Sequence, residues 1–245
     1  MGIGRIPRVP ARMTLCAALF AAAAPAWALD VDNLTNLTQS EFRQLSEDAG
    51  AAFSYHPQTP TEPLGISGFD LGLAVSMARI SHKNAWGRAS SDSVPDYVPI
   101  PTLRFNKGLP LGFDFGLMYA TVPGSDISLW GGEARWAFIR GGIAAPAVGV
   151  RGTYTKLTGV SQVDMSTKGL DISASKGFLM LTPYIGVGRT WITSEPHVAS
   201  LAKEDFSLNK FYIGAGFKLL LFNMNAEVDR TGESTAYSLK AGIRF

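Results

Sequence analysis

The chain ends in the nine residues Tyr-Ser-Leu-Lys-Ala-Gly-Ile-Arg-Phe, numbered 237–245, and their order decides the fold. Apolar side chains stand at every second position, and the positions between them are polar, charged or glycine. Successive side chains of a β-strand point to opposite faces, so this period of two predicts a strand with one apolar and one polar face. The aromatic Phe245 completes the apolar face.

The same alternation recurs upstream in about ten segments, of which 101–106 and 168–176 are the weakest. Barrels of the bacterial outer membrane have an even number of antiparallel strands with this dyad pattern. We therefore predict an all-β fold: a single transmembrane antiparallel up-and-down β-barrel over residues 64–245. Ten strands fit best, with eight or twelve as the alternatives.

The links between the segments alternate in length. Short links occupy 107–110, 140–143, 175–178 and 221–223. The other links are mostly longer and occupy 81–96, 158–167, 194–206 and 229–235, with 123–126 as a short exception. Short periplasmic turns and longer outer loops alternate in this way in outer-membrane barrels. With ten strands, both ends of the barrel chain lie on the periplasmic side.

Residues 1–28 have the pattern of a secretory signal peptide. Arginines precede a short apolar run at 15–24, and Ala-Trp-Ala follows, with the small residues Ala26 and Ala28 at the cleavage site. The apolar run is about half the length that a membrane-spanning helix needs. We therefore expect residues 1–28 to be removed on export.

Loss of the leader changes the charge and the cysteine count. The whole chain has 22 Lys and Arg against 20 Asp and Glu, a net charge of +2. The leader holds three of the basic residues and none of the acidic ones, which leaves 19 against 20, a net charge of −1. Its Cys16 is the single cysteine. A nucleic-acid partner, a disulfide scaffold, a cysteine zinc site and thiol catalysis are therefore excluded for the mature chain.

Residues 29–63 predict a short periplasmic helix and a proline-rich linker. A capping box of Thr38 and Glu41 starts the helix, and Gly50 is predicted to end it. Its apolar face consists of Phe42, Leu45 and Ala49, and the linker contains Pro57, Pro60 and Pro63. Three placements are open: a plug entering the lumen from the periplasmic side, a helix along the periplasmic membrane face, or a contact with another periplasmic component.

The composition of the two strand faces favours a membrane barrel over a soluble sheet. Beyond the leader, no run of 18 apolar residues is present to predict a membrane helix, and a closed barrel is the other structure that satisfies its backbone in lipid. The polar faces are crowded with small and charged residues, which suit a narrow lumen, while aromatic residues lie near strand ends. A soluble periplasmic barrel is the alternative.

The final strand resembles the C-terminal assembly signature of outer-membrane β-barrel proteins. The residues that carry this resemblance are Tyr237, Leu239, Ile243 and Phe245. The resemblance implies location in the outer membrane of a Gram-negative bacterium, delivery by periplasmic chaperones and insertion by the barrel-assembly machinery. It also implies contact with outer-membrane lipid and lipopolysaccharide, for which Arg79 and Lys83 near the outer rim are candidates. It implies no particular activity.

The polar strand faces predict a charge network in the lumen. Its members are Asp70, Arg104, Asp114, Glu133, Arg135, Arg151, Lys218, Glu227, Asp229, Lys240 and Arg244. Similar numbers of each sign favour cross-strand ion pairs, among them Asp70 with Arg244 where the first strand meets the last. The network is either structural or a charged constriction that selects small solutes. We therefore expect a non-enzymatic barrel, structural or forming a narrow channel.

An enzyme acting at the outer rim on lipopolysaccharide, phospholipid or peptide is the alternative function. Its candidate general bases are His82, near Asp92 or Asp96, and His197, near Glu195 or Asp205. The motifs of the outer-membrane aspartyl-type proteases, barrel phospholipases and lipid A deacylases are not found. No metal or other cofactor is predicted.

Overall fold

The computed structural model describes residues 33–90, 93–121, 127–142 and 144–245. The predicted signal peptide and its predicted cleavage site at Ala26 and Ala28 lie outside these residues. No helix in the described part of the chain is long and apolar enough to cross a membrane.

Within the described residues, ten antiparallel strands form a closed barrel. Each strand pairs with its neighbours along the chain, and the last strand closes the barrel against the first. The strands are β1 (Phe69–Arg79), β2 (Tyr97–Gly108), β3 (Phe113–Thr121), β4 (Ser128–Arg140), β5 (Ala147–Thr158), β6 (Val163–Ser175), β7 (Leu181–Pro196), β8 (Glu204–Leu219), β9 (Phe222–Thr231) and β10 (Ser234–Arg244). The predicted up-and-down barrel of ten strands is confirmed.

The two faces of the wall differ as the period of two predicts. In β1, Leu71 and Leu73 on the outer face are 41% and 46% exposed, whereas the inward Ala74 is 1% exposed. Aromatic side chains face outward near both ends of the barrel: the rings of Phe113 and Trp136 stack at one end, and Trp130 and Tyr154 are in contact at the other. An apolar outer band between two aromatic girdles is typical of a barrel in lipid.

The two ends of the barrel differ in their connections. One end, here called the turn end, carries short links, the start of β1 and the end of β10. There the ring of Phe245 stacks on that of Phe69, with the ring centroids 5.9 Å apart. The other end, the loop end, carries most of the longer links. The predicted longer links over 158–167 and 229–235 are wrong, because β5 and β6 are joined by the four residues 159–162, and β9 and β10 by the two residues Gly232–Glu233. The positive φ of Gly232 (61°) makes this tight turn possible.

The N-terminal helix α1 (Gln39–Phe53) begins as predicted and ends later. The capping box is confirmed: the Thr38 hydroxyl accepts from the Glu41 amide, and the Glu41 carboxylate accepts from the Thr38 amide. Gly50 does not end the helix. A Cβ atom at that position would lie 2.5 Å from Cδ1 of Ile192, so glycine is present because the helix passes close to β7.

Helix α1 lies inside the barrel, in its loop half, and not beside the turn end as a periplasmic helix would. Ser46 hydrogen-bonds Ser194 of β7 at 2.9 Å, and Asp48 contacts His82 beyond the end of β1. The predicted linker then passes through the lumen, and β1 begins at the turn end. Residues 33–67 are called the plug below, because they fill the lumen from one half to the other.

The apolar core is formed between the plug and the loop half of the wall. The apolar face of α1 packs with helix α2 (Lys83–Ala89), which lies in the link between β1 and β2. The inward side chains of this core are apolar and include Ile100, Met118, Leu129, Leu157 and Met165. Met118 interrupts the small and polar face of β3 because α1 needs an apolar surface there.

Candidate functional site

The candidate site is the lumen, where the plug contacts the wall along its whole path. From Ser54 to Leu64, twelve hydrogen bonds join the plug to seven of the ten strands. Inward side chains recur at every second residue of a strand, so an extended segment in the lumen meets a polar group at each level. Plug and wall therefore supply each other with hydrogen-bond partners along this path.

In the loop half, Asp48 of α1 organises the entrance to the lumen. Its carboxylate is 3% exposed and accepts hydrogen bonds from the amides of Ser81 and His82 and from the indole of Trp86. The His82 ring lies 3.1 Å from the same carboxylate. One buried carboxylate thus joins the plug to the link that carries α2.

At the centre of the lumen, two carboxylates of β9 contact the plug in different ways. Asp229 is paired with Lys210 at 2.7 Å and lies 3.8 Å from the His56 ring. Lys210 also donates to the carbonyl of Tyr55 in the plug, at 2.9 Å. Glu227 accepts from the backbone amide of Gln58 at 2.7 Å and from the wall hydroxyl of Tyr184 at 3.0 Å.

The side chain of Arg104 on β2 binds backbone carbonyl groups of the plug. Its guanidinium donates to the carbonyls of His56 at 2.8 Å and Pro57 at 3.3 Å, and it lies over the ring of Tyr55. A guanidinium has five donors in a fixed plane, so one side chain can bind several acceptors of a bent chain. These contacts depend on backbone shape and carry no ion pair.

In the turn half, Arg135 of β4 joins wall and plug. It donates to Asp114 of β3 through two nitrogens, at 2.5 and 3.2 Å, and to the Pro60 carbonyl at 2.6 Å. The other oxygen of Asp114 accepts from the amide of Leu64 at 3.0 Å. The ion pair therefore holds both the donor and the acceptor side of the threaded backbone.

A third group of charges connects strands to each other. Arg151 of β5 and Glu133 of β4 are both fully buried and 3.0 Å apart. Beside them the Tyr212 hydroxyl donates to Asp171 at 2.6 Å. Neither pair hydrogen-bonds the plug, so these contacts stabilise the wall itself.

Nine of the eleven residues predicted for the lumen network are buried and face inward: Asp70, Arg104, Asp114, Glu133, Arg135, Arg151, Glu227, Asp229 and Lys240. Lys218 is exposed at the turn end, and Arg244 is half-buried there. The predicted pair of Asp70 with Arg244 is wrong in its partner. The two residues are neighbours in the register across the seam, but the ion pair of Asp70 is with Lys240, at 2.7 Å.

Several residues of the lumen network were not predicted. They are Asp48, His56, Gln58, Asp171, Tyr184, Lys210 and Tyr212. Lys210 and Tyr212 share the parity of Gly214 and Gly216, so the alternation of β8 carried a signal for them. Nothing in the sequence placed the residues of the plug inside the lumen.

The two candidate catalytic histidines have other partners than those predicted. Asp96 is paired with Lys83, and Asp92 lies outside the described residues. His82 is placed between Asp48 and Glu233, whose carboxylates lie 3.1 and 3.9 Å from its two ring nitrogens. These contacts indicate a structural role for His82 at the loop end of the barrel.

His197 is exposed at the loop end, where both ring nitrogens are engaged. One lies 2.9 Å from the carbonyl oxygen of Ser161 and the other 3.0 Å from the carboxylate of Asp164. The carbonyl of Ser161 and then the carboxylate of Asp164 raise the pKa of His197, because both favour the protonated ring. A ring held in this way joins the link between β7 and β8 to the link between β5 and β6.

At the turn end, a cavity of about 210 Å³ is lined by residues that include Glu62, Asn223, Asn225 and Arg244. In the described part of the chain, no three His, Cys, Asp or Glu side chains are arranged to bind a metal ion.

Comparison with known proteins finds similar barrels at low sequence identity. No family model and no curated protein matches the sequence. The N-terminal β-barrel domain of Pseudomonas aeruginosa OprF is 13% identical over 74% of this chain and 99% of its own, with a TM-score of 0.39. The outer membrane protease OmpT from Escherichia coli is 8% identical over 73% and 95%, with a TM-score of 0.38. Ail of Yersinia pestis is 12% identical over 73% and 97%, with a TM-score of 0.30.

The class of the protein follows from its own geometry. Its ten antiparallel strands leave no open sheet edge, its outer face is an apolar band between aromatic girdles, and its lumen holds buried charged side chains. In water such an outer face would expose a large apolar surface, whereas in lipid it is the face that a spanning barrel requires. The chain is therefore a transmembrane β-barrel of the kind found in the Gram-negative outer membrane.

Proposed function

We propose that the protein is a sealed, non-enzymatic outer-membrane barrel, whose plug is a permanent part of its core. The observation that carries this proposal is the set of twelve hydrogen bonds between Ser54–Leu64 and the wall. At about 0.5–1.5 kcal/mol each, their loss costs on the order of 10 kcal/mol. Spontaneous release of the plug is then a rare event, on the order of one molecule in 10⁷.

The narrow-channel alternative is less well supported, because the charged side chains that would line a constriction are already bonded to the plug or paired with each other. Arg104 and Arg135 bind carbonyl groups of the plug, and Lys210 and Asp229 are paired with each other. An ion selected by such side chains would have to displace the plug from them. Selectivity in channels requires ligands that the permeating ion can reach.

The test is single-channel conductance of the refolded mature chain in a planar bilayer, with folding confirmed by heat-modifiable gel migration. We expect a folded sample without conductance steps. The mature chain has no cysteine, so a disulfide can be added without competing thiols. Thr61 and Ser173 are suitable because their hydroxyl oxygens are 2.8 Å apart between plug and wall.

The variant T61C/S173C separates the two functions. Steps in the unmodified protein that disappear in the oxidised variant, and return with a reducing agent, would establish a channel gated by the plug and refute the sealed barrel. Steps that persist after oxidation would establish a path beside the plug. The single variants T61C and S173C are the controls, because they cannot form the bond.

The enzyme alternative makes a different prediction. A rim enzyme that used His82 or His197 as its base would lose turnover of lipopolysaccharide, phospholipid or peptide in the variants H82Q and H197Q. A sealed barrel has no such turnover to lose. Detection of turnover in the unmodified protein that either substitution abolishes would refute the non-enzymatic function.

A further inference from the structure

The cavity at the turn end lies between the plug and one side of the wall. Its volume is about 210 Å³, which would hold about seven water molecules at roughly 30 Å³ each. Pro60 and Pro63 of the plug border it. The polar side chains that line the cavity come from the plug and from strands β7 to β10: Glu62, Thr182, Lys218, Asn223, Asn225 and Arg244.

A buried amide without partners faces this cavity. Asn223 is 4% exposed, and neither its amide nitrogen nor its amide oxygen has a hydrogen-bond partner among the described residues. Higher in the lumen the plug backbone supplies such partners, but here the plug presents Pro60 and Pro63, which have no N–H group to donate. An unsatisfied buried amide destabilises a folded protein, so its presence in the wall of a cavity points to a ligand.

A second amide lies beside the first on the inward face of β9. Asn225 is 3% exposed and is in register with Gly216 of β8. A Cβ atom at Gly216 would lie 2.6 Å from Oδ1 of Asn225, so the glycine lets this amide lie against β8. Two amides therefore border the same side of the cavity.

Two cations flank Asn223. Lys218 is its register partner on β8, and Arg244 lies two residues beyond Gly242, its register partner on β10. Among the described residues, no carboxylate or carbonyl group is bound by the side chain of Lys218 or Arg244. Lys218 is exposed and Arg244 is half-buried, so the cations are within reach of a ligand that enters at the turn end.

The charges of the lining favour a ligand with one negative charge. Lys218 and Arg244 supply two positive charges and Glu62 one negative charge, which leaves a net charge of +1. A carboxylate would neutralise this charge, whereas a phosphate dianion would exceed it. A guanidinium also matches a carboxylate in shape, because its parallel N–H groups can bind both oxygens.

We infer that the turn-end cavity binds a carboxylate with an amide group beside it, as in an N-acylated amino acid or at the carboxyl terminus of a peptide. Arg244 and Lys218 hold the carboxylate. Asn223 binds the neighbouring amide, because its side chain has one donor group and one acceptor that match an amide carbonyl and N–H. The inference does not depend on a sealed lumen, so its failure would leave the conductance result unchanged.

The test is a fluorine NMR titration of N-trifluoroacetylglycine with the folded protein in zwitterionic detergent, with folding confirmed by heat-modifiable gel migration. The fluorine signal should broaden saturably in the presence of the protein. The uncharged N-trifluoroacetylglycinamide should show no saturable broadening, because it has no carboxylate. Equal saturable broadening by the two probes would overturn the inference, and so would its absence with N-trifluoroacetylglycine.

The variant R244Q should need at least tenfold more N-trifluoroacetylglycine for half-saturation, since it loses hydrogen bonds from a charged donor to a carboxylate. The matched control is R140Q, which removes the same charge at the same end of the barrel. Arg140 is exposed and does not line the cavity, so R140Q should bind as the unmodified protein does. Equal half-saturation in R244Q and R140Q would refute the site.

The variant N223L separates ligand binding from a structural role of the amide. It should also need at least tenfold more N-trifluoroacetylglycine, because both hydrogen bonds to the amide of the probe are lost. Without the probe, its midpoint of thermal unfolding should equal or exceed that of the unmodified protein, since the amide has no partner to lose. A lower midpoint with unchanged binding would assign Asn223 a structural role and overturn the inference.

Competition experiments distinguish the two sources of such a carboxylate. Displacement of N-trifluoroacetylglycine by less triglycine than N-acetylglycine would identify the site with a peptide carboxyl terminus, and the reverse order with a small acylated amino acid. Triglycine with an amidated carboxyl terminus should not compete. Displacement by inorganic phosphate but by neither carboxylate would identify a simple anion site and overturn the inference.

Discussion

Replacement of Arg135 by alanine tests whether the plug and the barrel are one cooperative structure. Arg135 is 2% exposed, pairs with the buried Asp114 and donates to the carbonyl of Pro60. R135A leaves one carboxylate buried without its cation, for which about 3–5 kcal/mol is typical. Its two acceptors in the plug, the Pro60 carbonyl and the Thr59 hydroxyl, lose their donor, which costs about 1–3 kcal/mol more for each group that water does not reach. We therefore expect a loss of roughly 4 kcal/mol or more in the free energy of unfolding.

The measurement is urea unfolding of the barrel in lipid vesicles, followed by tryptophan fluorescence. Arg140 provides the control because it lies on the same strand and is exposed at the turn end. R140A should change the free energy of unfolding by less than about 0.5 kcal/mol. The double variant D114L/R135M removes both charges together and should recover only part of the loss: the orphaned carboxylate is gone, but the Pro60 carbonyl and the Leu64 amide still lack a partner.

The reasoning would be refuted if R135A and R140A were equally stable. That result would mean that water already reaches the pair, and that the plug is not packed tightly in the turn half. A loss in R135A without any recovery in D114L/R135M would instead assign the effect to the hydrogen bonds between plug and wall, not to the orphaned carboxylate.

Three further predictions concern other parts of the molecule. G50A should destabilise the barrel by about 1–3 kcal/mol in the same urea assay, because the added methyl group meets Ile192, and G50A/I192V should recover part of it. The pKa of His197 is raised in the folded state, so its contacts should stabilise the loop end fully at a pH below the ordinary histidine pKa of about 6.5 and less as the pH rises through the raised pKa. Hydrogen exchange of the loop should show this pH dependence. The variant H197Q should abolish it. A polarity-sensitive fluorophore on L179C, in the turn between β6 and β7, should report an apolar environment in vesicles, because the exposed Leu179 is expected to contact lipid. The same label on E233C at the loop end should report water. Aqueous emission from both labels would contradict contact of the Leu179 turn with lipid.

The strand architecture could be predicted from the sequence because the signal is local. An apolar residue at every second position describes a two-faced strand wherever that strand lies, and ten such segments with alternating links define an up-and-down barrel. The same parity brought nine of eleven predicted lumen residues to buried, inward positions. The capping box of α1 was equally local, since Thr38 and Glu41 are three residues apart.

The partners inside the lumen depended on the tertiary structure. Asp70 pairs with Lys240 and not with its register neighbour Arg244, because the long Lys240 side chain runs along the wall past Gly72, where no side chain blocks it. The contact of Asp48 with His82 also depends on the tertiary structure. The two residues are far apart in the sequence and meet only because α1 lies inside the barrel.

The sequence by itself determined the class of the protein: a β-barrel whose strands have one apolar and one polar face. It left open where residues 33–67 lie, because a short amphipathic helix and a proline-rich segment fit a periplasmic surface as well as a lumen. Only the closed barrel decided between them. Its interior holds buried charged side chains such as Arg104 and Arg135, whose N–H groups need acceptors. The main-chain carbonyl groups of the threaded segment are those acceptors.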